Sequence, residues 1–146
     1  MDKKRDYFVQ GALQPEAIAR SIAKHSGKTT IGAHDIFLGQ VRADVIDGRT
    51  VEAIEYSAYT AMAGEAIAAI REEAFARWPA LTCLHVHHSL GVIPEGALCF
   101  MVFVSAPHRA EAFEAVRYVV DAIKARAPIF GKERFVEGGH VWKTNI

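Results

Sequence analysis

The stretch Ser105-Ala106-Pro107-His108-Arg109-Ala110-Glu111 joins an apolar run to a helical pattern. Ser105 reads as a helix cap and Pro107 suits a first helical turn. That turn carries free backbone N–H groups and the positive end of the helix dipole. Two cations placed there, His108 and Arg109, make better sense if an anion sits among them; pairing of Arg109 with Glu111 is the simpler alternative. At the far end of the same helix stand Lys124 and Arg126, where cations are favoured in any case, and Lys132 follows after Phe130-Gly131. Arg42 closes the stretch Phe37-Leu38-Gly39-Gln40-Val41-Arg42, with Gly39 allowing close approach to the backbone. His85, His87 and His88 raise a zinc reading, since His85 and His87 share a strand face, the geometry of two zinc ligands, yet no third ligand follows at a characteristic spacing, so partly exposed histidines are the simpler reading. Ser105 has His108 nearby but no identifiable third group for nucleophilic catalysis. No phosphate loop, nucleophile elbow or His-Glu-x-x-His pattern occurs.

These residues need a scaffold. The 146 residues are 51% hydrophobic and carry 17 basic and 17 acidic side chains. That is enough apolar material for one domain spanning 1–146, and the composition is not that of a disordered chain. Zero net charge argues against a general nucleic-acid binder. The longest apolar run, around Ala97–Val104, is far too short to cross a bilayer, and no signal-type stretch follows the charged Met1–Asp6. Cys83 and Cys99 read as buried, reduced thiols without metal spacing. A cytoplasmic domain that binds neither membrane nor nucleic acid is expected.

Periodicity supplies the elements. Tyr7–Val9 reads as a strand, and a short helix opens at Gln14-Pro15-Glu16, with Ile18, Ile22 and His25 at helical spacing and Gly27 at its end. Thr30–Val41 reads as β, with Gly32 and Gly39 as close-approach points or bulges. Asp47-Gly48 predicts a hairpin between Val41–Ile46 and Thr50–Tyr59, with Ile54 and Tyr56 on one face. Met62–Trp78 predicts a helix with stripe Ile67, Ile70, Ala74 and Phe75, closed by Pro79. Leu81–Leu90 alternates, a turn follows at Pro94-Glu95-Gly96, and Ala97–Ser105 reads as a central strand covered on both faces. A second long helix runs from Pro107 to about Arg126 with stripe Phe113, Val116, Val120 and Ile123. Short strands are predicted around Phe135–Val136 and His140–Trp142. The expected class is α+β, with a mixed, largely antiparallel sheet, two long helices and a short N-terminal one.

Several segments in order carry a resemblance: Phe37-x-Gly39-x-Val41-Arg42, Glu55-Tyr56, Arg77-Trp78-Pro79, His87 with Leu90-Gly91, and Ser105-x-x-His108-Arg109-x-x-Ala112-Phe113. Lys124-x-Arg126-Ala127-Pro128-Ile129-Phe130-Gly131-Lys132-Glu133 and Trp142-Lys143 complete it. From about Ile31 to Trp142 the chain resembles the large, catalytic subunit of molybdopterin synthase. The resemblance implies an α/β-hammerhead-like fold and a cytoplasmic sulfurtransferase of molybdenum cofactor biosynthesis. It implies a homodimer that becomes a heterotetramer by binding two small ubiquitin-like sulfur carriers ending in Gly-Gly. The carrier's thiocarboxylate would deliver sulfur to cyclic pyranopterin monophosphate, forming a dithiolene, with no metal or other cofactor. Gln40, Val41, Arg42, His108, Arg109, Lys124, Lys132 and Glu133 would bind substrate, with Arg42, His108 and Arg109 on the phosphate. Lys124 and Lys132 would be catalytic, Lys124 nearest the thiocarboxylate.

One position departs from the family pattern. Aligned without a gap, Gly131 stands where a second functional lysine is expected; one inserted residue would put Lys132 there, which is the reading adopted. Independently of the family, His108 and Lys124 are sixteen residues apart on one helix, about 24 Å at 1.5 Å per residue. One small ligand cannot touch both within one chain, so if both serve one pocket the second end comes from another copy, and a two-fold dimer with shared sites is expected. The competing readings are a non-catalytic module binding a ubiquitin-like partner through a sheet edge or groove, and a zinc hydrolase built on the histidine strand.

Overall fold

A computed structural model describes residues 6–144; the charged run Met1–Arg5 lies outside the described residues. The elements in chain order are β1 (Phe8–Gln10), α1 (Pro15–His25), β2 (Ala33–Gln40), β3 (Val45–Ile46), β4 (Arg49–Ala58) and α2 (Thr60–Arg77). They continue with β5 (Cys83–Pro94), β6 (Leu98–Ala106), α3 (Arg109–Arg126), β7 (Ile129–Phe135) and β8 (His140–Trp142). The strands form an eight-stranded sheet ordered β2-β6-β5-β4-β7-β8, with β1 beside β5 and β3 beside β4. Among these pairs only β1–β5 is parallel. The α+β class with a largely antiparallel sheet is what patterning predicted.

β6 explains the layering. Every residue from Cys99 to Ala106 is buried, as a strand covered on both faces requires. Phe100, Val102 and Val104 belong to the main core, together with Ile67, Ile70 and Ala74 of α2 and Ala112, Ala115, Val119 and Ile123 of α3. Met101 and Phe103, on the opposite face, form a smaller core with Leu13, against which Ile18 of α1 packs. So α2 and α3 cover one side of the sheet, and α1 covers part of the other.

Three local expectations change. Phe113 is 57% exposed; the buried stripe of α3 instead includes Ala112 and Ala115, small residues that let the helix approach the sheet closely. Phe113 lies about 100° round the helix from Ala112, off the buried stripe. Ser105 does not cap α3. It ends deep in β6, with Oγ 2.7 Å from His34 Nδ1, and His108 occupies the N-cap position without a side-chain cap bond. The hairpin's first arm is confined to Val45–Ile46. Its turn is as predicted, with Asp47 at φ 50° and Gly48 at φ 74°, the left-handed pair of a type I′ turn.

Candidate functional site

α3 ends over the sheet, and its last turn closes a cavity of about 110 Å³, room for several water-sized groups. Lys124 enters from the helix. Gln40 and Arg42 come from the end of β2 and the segment after it, Tyr56 from β4, His88 from β5, and Gly131 and Glu133 from β7. Lys143, just beyond β8, completes the wall. The register shift between Gly39 and Gln40 opposite β6 is a bulge that re-aims this rim. Of the residues singled out in the sequence, Gln40, Arg42, Lys124 and Glu133 therefore meet in one place.

The electrostatics are unusual for so small a space. Burial, then the like charges of Lys143 and Arg42, push the Lys124 ammonium below the ordinary lysine value. Cys99 also lines the cavity; burial raises its thiol, which keeps it protonated and a poor nucleophile. Tyr56 Oη donates to Cys99 Sγ at 3.6 Å, and burial, followed by the neighbouring Cys99 and the Glu133 carboxylate, holds the phenol protonated. His88 donates Nδ1–H to the Ser89 carbonyl at 2.8 Å. Its pKa is lowered to about 4, chiefly by burial, so its Nε2 keeps a lone pair at neutral pH. Arg42 is exposed and pairs with Asp44 at 3.3 Å, a contact that an arriving anion can exchange at little cost. The site sets three cations, Arg42, Lys124 and Lys143, beside neutral hydrogen-bonding groups and the carboxylates of Asp44 and Glu133, an excess of basic over acidic side chains suited to an anionic group.

Four expected binding residues lie elsewhere. Val41 is buried, with its N–H donating to Ala97 O and its carbonyl accepting from Gly96 N. His108 and Arg109 are exposed at the opposite end of α3. There Gly32 touches the helix start so closely that a Cβ would lie 2.1 Å from Pro107 O. Lys132 sits on the other face of β7 from Gly131 and Glu133, its ammonium 5.3 Å from the Trp142 ring centre. Arg126 is engaged structurally, donating to both Glu73 oxygens at 2.7 and 2.8 Å, while Tyr118 donates to the same carboxylate at 2.6 Å.

The histidine strand faces α1. His85 Nε2 lies 3.1 Å from His25 Nε2, and His25 Nδ1 donates to Ser21 O at 2.6 Å. With Cys83 these side chains form a three-donor group within 4.8 Å. Lys28 already donates to Cys83 Sγ at 2.9 Å, and its charge, with that of Arg71, lies close enough to disfavour protonated His85. The same positive surroundings oppose a dication. The cavity residues missed in the sequence, Tyr56, His88, Cys99 and Lys143, come from four separate segments. Tyr56 and Lys143 stand in the family segments and Tyr56 shares a strand face with Ile54, but nothing in the sequence assigns any of the four to this site.

A family model described as MoaE protein matches residues 9–126. The molybdopterin synthase catalytic subunit 2 of Aedes aegypti is 40% identical over 116 residues, covering 78% of this chain and 74% of that protein. The crystal structure of molybdopterin synthase from Staphylococcus aureus superposes with a TM-score of 0.82 at 29% identity, covering 94% of this chain and 96% of that one. A chain of the complex of subunits 1 and 2 of the molybdopterin-converting factor from Helicobacter pylori shares the fold, with a TM-score of 0.78 at 20% identity. That match covers 94% of this chain and 88% of the other.

Proposed function

The chain belongs to the MoaE family, and from that premise we propose that its cavity transfers sulfur to cyclic pyranopterin monophosphate. The donor is the C-terminal Gly-Gly thiocarboxylate of a small ubiquitin-like carrier. The observation that supports this most is the convergence of Lys124, Arg42 and Lys143 on one partly enclosed cavity. Thiocarboxylate, phosphate and the oxyanion formed at the acyl carbon are all negative, and preorganised cations in a poorly hydrated site stabilise such charge more than water does. In each transfer the thiocarboxylate sulfur bonds to a substrate carbon and a C–O bond of that carbon breaks, its oxygen leaving on the opened phosphate or as water, so that a thioester links carrier and substrate. Water then attacks the acyl carbon, its oxygen replaces the sulfur, and the carrier leaves as a carboxylate. Lys124, half-buried in the wall, contacts the acyl group. Gln40 and Glu133 orient the pterin, and Arg42 meets the phosphate. The sulfur arrives on the carrier, so the protonated Cys99 thiol has no part in the transfer.

His108 and Arg109 complete the phosphate site from a second copy, because α3 holds them about 24 Å from Lys124 in their own chain. The working assembly is a two-fold dimer carrying two carriers. No helix among the described residues is long and apolar enough to cross a membrane, and the free Cys83 and Cys99 thiols suit the reducing cytoplasm in which we place the protein.

The test is incubation with thiocarboxylated carrier and the cyclic precursor, assaying molybdopterin, with Lys124→Ala alongside. Product from the wild type, its loss in Lys124→Ala and unchanged carrier binding by the variant support the reading. Full activity in Lys124→Ala, or carrier binding with no product from the wild type, contradicts it; the second result leaves a binding module.

A further inference from the structure

We propose that Lys143 is a catalytic residue of the cavity, supplying a second amine beside Lys124 through the space that Gly131 leaves open. The inference rests on the sulfur-transfer reading of the site. Its basis is the register of three strands. Tyr56 pairs with Gly131 across β4 and β7. Lys132 pairs with Trp142 across β7 and β8, so the next position, Lys143, stands opposite Gly131, and its N–H donates to Gly131 O at 2.8 Å. Tyr56, Gly131 and Lys143 form one row on the cavity face, and all three line the cavity. Lys132 and Trp142, one residue away on each strand, face the other side.

The centre of the row has no room for a side chain on Gly131 itself, because Ile54 and Tyr56 flank it. A Cβ on Gly131 would lie 2.9 Å from Ile54 Cγ2 and 3.2 Å from Tyr56 Cε1, so no lysine fits there with these neighbours in place. Coming from the adjacent strand, Lys143 crosses the gap and reaches the same cavity. Its proximity to Lys124 is also electrostatic: after burial, the Lys143 charge is the largest influence lowering the Lys124 pKa. Lys143 therefore contributes a charge facing the thiocarboxylate and the acyl oxyanion, and it tunes Lys124.

The test measures molybdopterin formation with thiocarboxylated carrier for the wild type, Lys143→Ala, Lys143→Arg and Lys132→Ala. Lys143→Ala is expected to lose about a hundredfold in kcat, the lower end of the scale of one removed oxyanion donor, with little change in the KM for carrier. Lys143→Arg, which keeps the charge, recovers most of the loss. Removing a like charge raises the Lys124 pKa, so the limb of the pH–rate profile set by Lys124 moves to higher pH in Lys143→Ala. Wild-type turnover and an unmoved profile in Lys143→Ala overturn the inference alone, as does a larger loss in Lys132→Ala. A wild type that makes no product overturns the sulfur-transfer reading and this inference with it.

Discussion

The two ends of α3 carry the same kind of residue in opposite settings. At the C-terminal end Lys124 is half-buried, its pKa lowered by burial and by Lys143 and Arg42, in a cavity whose other walls come from the sheet. At the N-terminal end His108 and Arg109 stand in the open. The helix dipole favours the first placement and opposes the second. The difference teaches that a basic residue becomes part of a site through its surroundings. In the proposed assembly the first end belongs to the reacting site and the second meets the other copy.

The largest effect expected from breaking this comparison is at the built end: Lys124→Ala should lower molybdopterin turnover about a hundredfold to a thousandfold, read in a single-turnover assay. Next comes the support of the open end. Gly32→Ala drives a methyl group into the Pro107 carbonyl, and overpacking of this kind costs about 1–3 kcal/mol, measurable by denaturant unfolding. The double variant His108→Ala/Arg109→Ala should weaken phosphate binding and raise the KM for the cyclic precursor about tenfold, since two exposed ion pairs contribute up to about 1 kcal/mol each. Its melting temperature should stay put.

A smaller effect concerns pH. Burial lowers His85 and His88 to about 4, below the unfolded value of about 6.5. The unfolded chain therefore binds more protons over this range. The stability from keeping both rings neutral is fully present above about pH 6.5 and is lost as pH falls towards 4. The melting temperature should decline across that window, and less steeply in His88→Phe. Smallest of all, Phe113→Ser on the exposed side of α3 should shift stability by no more than about 0.5 kcal/mol.

Much of the fold was legible because it depends on local periodicity. The apolar run through β6, the Asp47-Gly48 turn, the bulge at Gly39 and the close approach at Gly32 each follow from a few neighbouring residues. The stripe of α3 was misjudged at Phe113 because size was weighed over angle, and alanines face the sheet where helix and strands lie close. The site was legible only in part. Lys124, Arg42, Gln40 and Glu133 came with roles in the family pattern; Lys143 stands in that pattern without one, because its place in the cavity depends on the pairing of β7 with β8, a contact between strands that no spacing along the chain encodes. Likewise the face on which Lys132 points follows from the register of Gly131 against Tyr56.

The claim that one site draws on both ends of α3 from two copies is tested most directly by mixing two impaired proteins and assaying them with the cyclic precursor well below its KM, where both turn over slowly. Lys124→Ala and His108→Ala/Arg109→Ala chains, unfolded and refolded together in equal amounts, form mixed dimers with one intact site each. Molybdopterin formation should then return to about a quarter of the wild-type level, the share set by random two-fold pairing. Activity no higher than that of either variant alone would contradict the account.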